Sequence, residues 1–326
     1  MLETTNQLRK ISVLQYPGKD GRSYEPNRRY GGVIVAVIAP CLPSGDVDPP
    51  AMRRLCRILA DHGCHGIFVL GSTGEMPFLD EDDRRALTVA AKEGLEAKAT
   101  LYVGTTGFGL KQTLRYTKNA AEDGADVAVI MAPMIFKFSQ AELAAYTRAA
   151  ADASPIPLAI YHHKRMPTSY EVETIAELAP HPNIVALKDT SNDLTRFRRL
   201  IDATAGTGLA IFQGHENLFL ESLKIGAAGC VSALGNVAPE WHVALYRAHH
   251  DGNATEAEIH QRQITALSRI FHHASSAESF SYFTYSLKRI LQHRGWLEHA
   301  QGLMPGFQPS TQFDEVVLDH IRVMEL

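Results

Sequence analysis

Eight short apolar runs recur along this chain, spaced so that a helix fits between each and the next, and that rhythm limits the fold more than any other feature. The runs are Val33–Ala39, Ile67–Leu70, Leu101–Val103, Val127–Met131, Leu158–Tyr161, Ile184–Lys188, Leu209–Phe212 and Cys230–Ser232. Continuous apolar runs of this length suit strands buried on both faces, as in a parallel sheet. The segments between them read as helices. Pro50–His62 carries Met52, Leu55 and Leu59 at helical spacing, and Asp80–Glu93 opens on consecutive acidic residues that favour a helix N-terminus. Ser139–Ala151 begins with Ser139-x-x-Glu142, a capping box. Asp193–Ala203 and Asn217–Ile225 fill two more positions. The alternation predicts an α/β chain folded as a (β/α)8 TIM barrel. A doubly wound sheet is the competing arrangement, but no strand here runs into Gly-x-Gly-x-x-Gly.

Either side of the barrel the pattern changes. Residues 1–30 are polar, punctuated by Pro17, Gly18, Gly21 and Pro26, and read as an N-terminal extension. Residues 31–236 hold the barrel. Residues 237–326 read as a C-terminal helical region, with helices over Glu240–His250, Ala254–His272, Ser279–His293 and Asp314–Met324. The pairs His249-His250 and His272-His273 fall on these helices. Neighbouring helical positions diverge by about 100°, so surface histidines are expected there rather than a metal chelate.

Composition closes off other classes. Lys plus Arg number 32 against 36 Asp plus Glu, a net charge of −4. A nucleic-acid partner calls for a basic field that this balance does not supply. At 45% hydrophobic, the chain matches ordinary globular proteins. A chain this long buries roughly 75% of its unfolded surface and needs no covalent staples. The four cysteines, at 41, 56, 64 and 230, form no Cys-x-x-Cys pair and read as reduced thiols. The longest apolar stretch, from Val33 to Cys41, is about half a membrane span. No membrane partner is expected, and the location read from these features is cytoplasmic.

Three places can carry chemistry. In Asn183-Ile184-Val185-Ala186-Leu187-Lys188, strand alternation puts Ile184, Ala186 and Lys188 on one face. If that face points inward, Lys188 stands at the carboxyl end of strand six, where barrels keep their active sites. Desolvation disfavours the charged form of an amine, and a free amine attacks a carbonyl to give a Schiff base. A strand-terminal lysine can equally leave for solvent. On strand five, Tyr161 shares a face with Ala159, and Ala159 and Ala186 leave room beneath the two polar ends. A phenol there can shuttle protons, or be a packed barrel tyrosine. Strand two enters Gly71-Ser72-Thr73-Gly74-Glu75, whose glycines let the backbone come close to a ligand. The Ser72 and Thr73 hydroxyls can hold a carboxylate, with Glu75 tying the loop through backbone hydrogen bonds. An ordinary capped turn would look the same.

Taken in order, Gly71-Ser72-Thr73-Gly74-Glu75, Pro133 before Phe138-Ser139, Tyr161, Leu187-Lys188-Asp189-Thr190-Ser191 and Gly226-Ala227-Ala228-Gly229-Cys230-Val231-Ser232 resemble the pyruvate-dependent class I aldolase superfamily of dihydrodipicolinate synthase and N-acetylneuraminate lyase. The resemblance runs from about residue 30 to 300. It implies a barrel with a C-terminal helical region, assembled as a homo-oligomer, either tetramer or dimer. It implies Lys188 as the Schiff-base lysine, Tyr161 as the proton-transferring tyrosine, and Thr73 in the proton relay. Ser72, Thr73, Gly74, Thr190, Gly214, Glu216 and Val231 would contact substrate, Glu216 and Asn217 through polar substituents. No metal and no organic cofactor is implied; the partners are a 2-oxo acid and an aldehyde.

The departures are informative. The synthase has an arginine five residues after the tyrosine, where this chain has Met166, and Arg165 falls one place early. That argues against dihydrodipicolinate synthase itself. Met134 and Ile135 replace the usual tyrosine pair after the strand-four proline, one of which reaches across the dimer interface; Phe136 keeps an aromatic ring but carries no proton. His162-His163-Lys164 replaces the usual Asn-x-Pro. His162 or His163 can supply the missing acid–base group, Lys164 or Arg165 can bind a second anionic group, or the segment is a solvated basic loop. The expected activity is a Schiff-base lyase making or cleaving a 2-keto-3-deoxy sugar acid or another 4-hydroxy-2-oxo acid. A hydratase or dehydratase using the same imine, and a catalytically silent keto-acid-binding barrel, are the alternatives.

Overall fold

The computed structural model describes residues 30–271 and 279–324. The extension up to residue 29 and the His272-His273 pair lie outside the described residues. Eight strands form a closed barrel in chain order: β1 Gly32–Ala36, β2 Gly66–Val69, β3 Thr100–Gly104, β4 Val127–Met131, β5 Leu158–His163, β6 Ile184–Thr190, β7 Ala210–Gln213 and β8 Gly229–Ser232. Every neighbouring pair is parallel, including β1 with β8. The connecting helices are α1 Pro49–Asp61, α2 Glu81–Leu95, α3 Leu110–Glu122, α4 Gln140–Ala153, α5 Val172–Leu178, α6 Leu194–Ala203 and α7 Phe219–Lys224. After β8 come α8 Pro239–His250, α9 Ala254–Ser268, α10 Phe280–His293 and α11 Thr311–Met324. This is a (β/α)8 barrel with helices appended at its C-terminal side.

Local chemistry explains most boundaries. Asp80 and Ser139 close capping boxes with Asp83 and Glu142 and start α2 and α4. The helices α3 and α5 lack such start signals: neither carries a side-chain cap, their N-cap positions being Gly109 and Glu171, and α5 is only seven residues long. The first strand is shorter than Val33–Ala39. Beyond Ala36 a side chain replaces the ladder: Asn236 Oδ1 accepts from Ile38 N at 3.1 Å and its Nδ2 donates to Ala36 O at 2.8 Å. Residues 37–39 stay buried without being strand. The barrel closes where β8 meets β1 at a pair of glycines, and a Cβ on Gly229 would lie 1.8 Å from Gly32 O. Only glycine permits that approach.

The C-terminal helices dock through Leu287, Ile290 and Leu291 of α10 and Val317 and Ile321 of α11, all buried. His249 and His250 are partly buried rather than on the open surface. His250 packs edge-on to Tyr246 at 4.4 Å between centroids, and burial lowers the His249 pKa to about 4. All four cysteines are free and buried. Among the described residues no helix is long and apolar enough to cross a membrane.

Candidate active site

The site stands at the carboxyl end of the barrel, because alternation along β5 and β6 turns Tyr161 and Lys188 inward there. The two residues are register partners, as are His163 and Thr190 two positions further out. Lys188 is 8% exposed, and its Nζ lies 4.2 Å from the centre of the Tyr161 ring and 5.6 Å from that of Phe68. Ala159, Ala186, Phe68, Phe212 and Val231 line the space beneath it. No carboxylate among the described residues pairs with Lys188. The adjacent Asp189 faces outward, where it accepts from Arg196 Nε at 3.0 Å and from Ser191 N at 3.0 Å. Lys188 is thus an amine walled by aromatic rings and unpaired with an anion, the surroundings a nucleophilic lysine requires.

The loop after β2 brings in the hydroxyls. Ser72 Oγ is 3.3 Å from Tyr161 Oη. Thr73 is buried in the same loop. Gly74 packs against the end of β1, where a Cβ would meet Val37 O at 3.1 Å. Glu75 does accept a backbone hydrogen bond, but not from its own loop. Its Oε2 takes Leu303 N at 2.9 Å and Lys288 Nζ at 3.1 Å. Lys288 is 0% exposed and also donates to Gln301 O at 2.8 Å. This buried ion pair, unread from the sequence, fixes the loop to α10 and the segment after it. Its signal was available: Thr284, Leu287, Lys288 and Leu291 fall on one buried helical face, so Lys288 occupies a core position.

The remaining candidates divide. Thr190 is buried on the inner face and its Oγ1 has no hydrogen-bond partner among the described residues. Gly214 abuts it, since a Cβ there would lie 2.1 Å from Thr190 Oγ1. Glu216 Oε1 accepts from Ser232 Oγ, Ala233 N and Leu234 N at 2.7–3.1 Å and so braces the loop after β8. Asn217 and Arg165 are exposed. Phe136 is 70% exposed and does not approach Lys188 within one chain.

The two histidines part company. His162 points out of the barrel, with Nε2 3.9 Å from Asp189 Oδ2, and burial lowers its pKa to about 4. His163 shares the inner face with Tyr161, ring centres 5.9 Å apart. Its pKa is lowered to about 4, first by burial and then by Lys188, Arg165 and His215.

Comparison with known proteins agrees with this geometry. A profile described as the Dihydrodipicolinate synthetase family matches residues 29–317. A 4-hydroxy-tetrahydrodipicolinate synthase of Streptomyces coelicolor is 34% identical over 73% of this chain and 77% of its own. An uncharacterised DapA-like lyase of Thermococcus kodakarensis is 30% identical over 90% of this chain and 98% of its own. In fold, the chain is similar to YagE, a prophage protein of E. coli solved in complex with pyruvate: TM-score 0.85, 24% identity, 91% of this chain and 99% of that one. The chain belongs to the dihydrodipicolinate synthetase family and, with that family, is a lyase.

Proposed function

We propose that the protein forms a Schiff base between Lys188 and pyruvate or a related 2-oxo acid, and uses it to make or cleave the C3–C4 bond of a 4-hydroxy-2-oxo acid of the 2-keto-3-deoxy sugar-acid kind. The observation that carries this is the unpaired, aromatic-walled Lys188 with the Tyr161 ring 4.2 Å from its amine. The protonated imine serves as electron sink. In the aldol direction Tyr161, paired with Ser72, gives its phenolic proton to the carbinolamine hydroxyl as that leaves as water, and the phenolate so formed takes a proton from C3 to give the enamine. The enamine attacks the aldehyde, and Tyr161 returns that proton to the new C4 oxygen, so one proton moves from carbon to oxygen and none is left over. Ser72, Thr73 and the Gly71–Glu75 backbone hold the keto-acid carboxylate, and Thr190 and Gly214 face the second half of the substrate.

The reading separates the chain from 4-hydroxy-tetrahydrodipicolinate synthase, the name its Streptomyces coelicolor relative carries. Met166 stands fifth after Tyr161, and Arg165 is exposed. Exposure of Ile135 (59%) and Phe136 (70%) fits a face covered in a homo-oligomer. The test is borohydride reduction with pyruvate followed by peptide mass spectrometry. A pyruvyl adduct is expected on the Lys188 peptide and absent from Lys188→Ala. No adduct with pyruvate or any of a panel of 2-oxo acids would leave a silent binding barrel as the better description.

A further inference from the structure

Resting on that Schiff-base reading, we infer that His163 is a catalytic hydrogen-bond donor: its Nε2–H holds the C4 oxygen of the substrate, and it never acts as a base. The proton's position follows from the backbone. Arg165 N donates to His163 Nδ1 at 3.1 Å. A nitrogen that accepts in this way keeps its lone pair, so the neutral ring carries its hydrogen on Nε2. No acceptor for that hydrogen is found among the described residues. The ring stays neutral first because it is largely buried, and then because its neighbours are cationic or can become so: Lys188 on β6, Arg165 and His162 on either side in sequence, and His215 after β7.

Placement supplies the role. Two residues beyond Tyr161 on the same strand face, His163 stands about 7 Å nearer the barrel mouth, with its ring 5.9 Å from the Tyr161 ring. The imine joins Nζ of Lys188 to substrate C2, so C4 and its oxygen extend outward from the lysine, toward His163. As the enamine closes the C3–C4 bond, the carbonyl π pair moves onto oxygen. A fixed N–H aimed at that oxygen stabilises the charge as it develops, while Tyr161 delivers the proton it took from C3. His163 keeps its own hydrogen throughout. Neutral imidazole polarising a carbonyl is an established solution where cationic surroundings forbid imidazolium.

The experiment separates the half-reactions. Wild type, His163→Phe and His163→Gln are compared for borohydride trapping of pyruvate on Lys188, for C3 hydrogen–deuterium exchange of pyruvate, and for condensation of pyruvate with glyoxylate, glycolaldehyde and glyceraldehyde. His163→Phe is expected to trap and exchange within about three-fold of wild type and to lose roughly 10²–10³ in condensation, the usual effect of removing one such donor. His163→Gln, which restores an N–H, should recover at least ten-fold of that loss. Condensation by His163→Phe within about three-fold of wild type overturns the inference, as does exchange falling in step with condensation. A wild type that exchanges but condenses none of the three aldehydes also counts against it. A wild type that traps no 2-oxo acid fails the underlying Schiff-base reading instead, and this inference with it.

Discussion

The two loops that meet above Lys188 are held in opposite ways. Gly71–Glu75 is locked from behind: Glu75 is bound to Lys288 and Leu303, and Gly74 is pressed on the end of β1. The segment after β5 is held at its near end by Arg165 N and Met166 N donating back to His163, and at its far end, where Phe138 N donates to Thr168 Oγ1 at 2.8 Å and Gln140 Nε2 to Ser169 O at 2.9 Å. Between, Lys164 and Arg165 stand exposed. Under the proposed chemistry the locked loop faces the half of the substrate that every turnover shares, and the tethered loop faces the half that sets specificity.

The sharpest way to break the comparison is to unlock the first loop. Lys288→Met strands Glu75 as a buried, unpaired carboxylate, which costs about 3–5 kcal/mol. A fall in Tm of roughly 10 °C by calorimetry is expected, with the Glu75→Leu/Lys288→Met double variant regaining most of it. A single variant that melts with wild type would mean the pair does not hold the loop. The next effect is in pH. A histidine whose folded pKa of about 4 lies below the unfolded 6.5 makes the unfolded chain bind more protons between those values. Stability is then full above about 6.5 and falls as pH drops toward 4. His163→Gln should flatten that fall in urea titrations taken from pH 7 to 4.5; an unchanged slope would say that His163 is charged in the fold. Least of all, Arg165→Ala should shift stability by less than about 0.5 kcal/mol, and a larger loss would show the second loop to be anchored after all.

Legibility followed the same division. The strands announced themselves because a parallel barrel buries both of their faces, so apolar runs such as Val127–Met131 are unbroken. Lys188 and Tyr161 followed from alternation, and the same rule separates His163 from His162, since only 161 and 163 share a face. What one strand cannot reveal is where a long side chain spends its hydrogen bonds. Glu216 is taken up by the loop after β8, and Ser72 rather than Thr73 reaches Tyr161. Both depend on which atoms the closed barrel brings within 3 Å or so, not on residue type.

The Glu75–Lys288 pair also bears on how such chains can be recombined. Its members lie 213 positions apart, one in a βα turn and the other in a helix outside the barrel. A crossover anywhere between them that brings in a C-terminal half lacking the lysine leaves the acid with no counter-charge, however well the helices themselves fit. In shuffling experiments these two codons should therefore be inherited together, so that the turn after β2 and the terminal helices form one genetic unit despite opposite ends of the message.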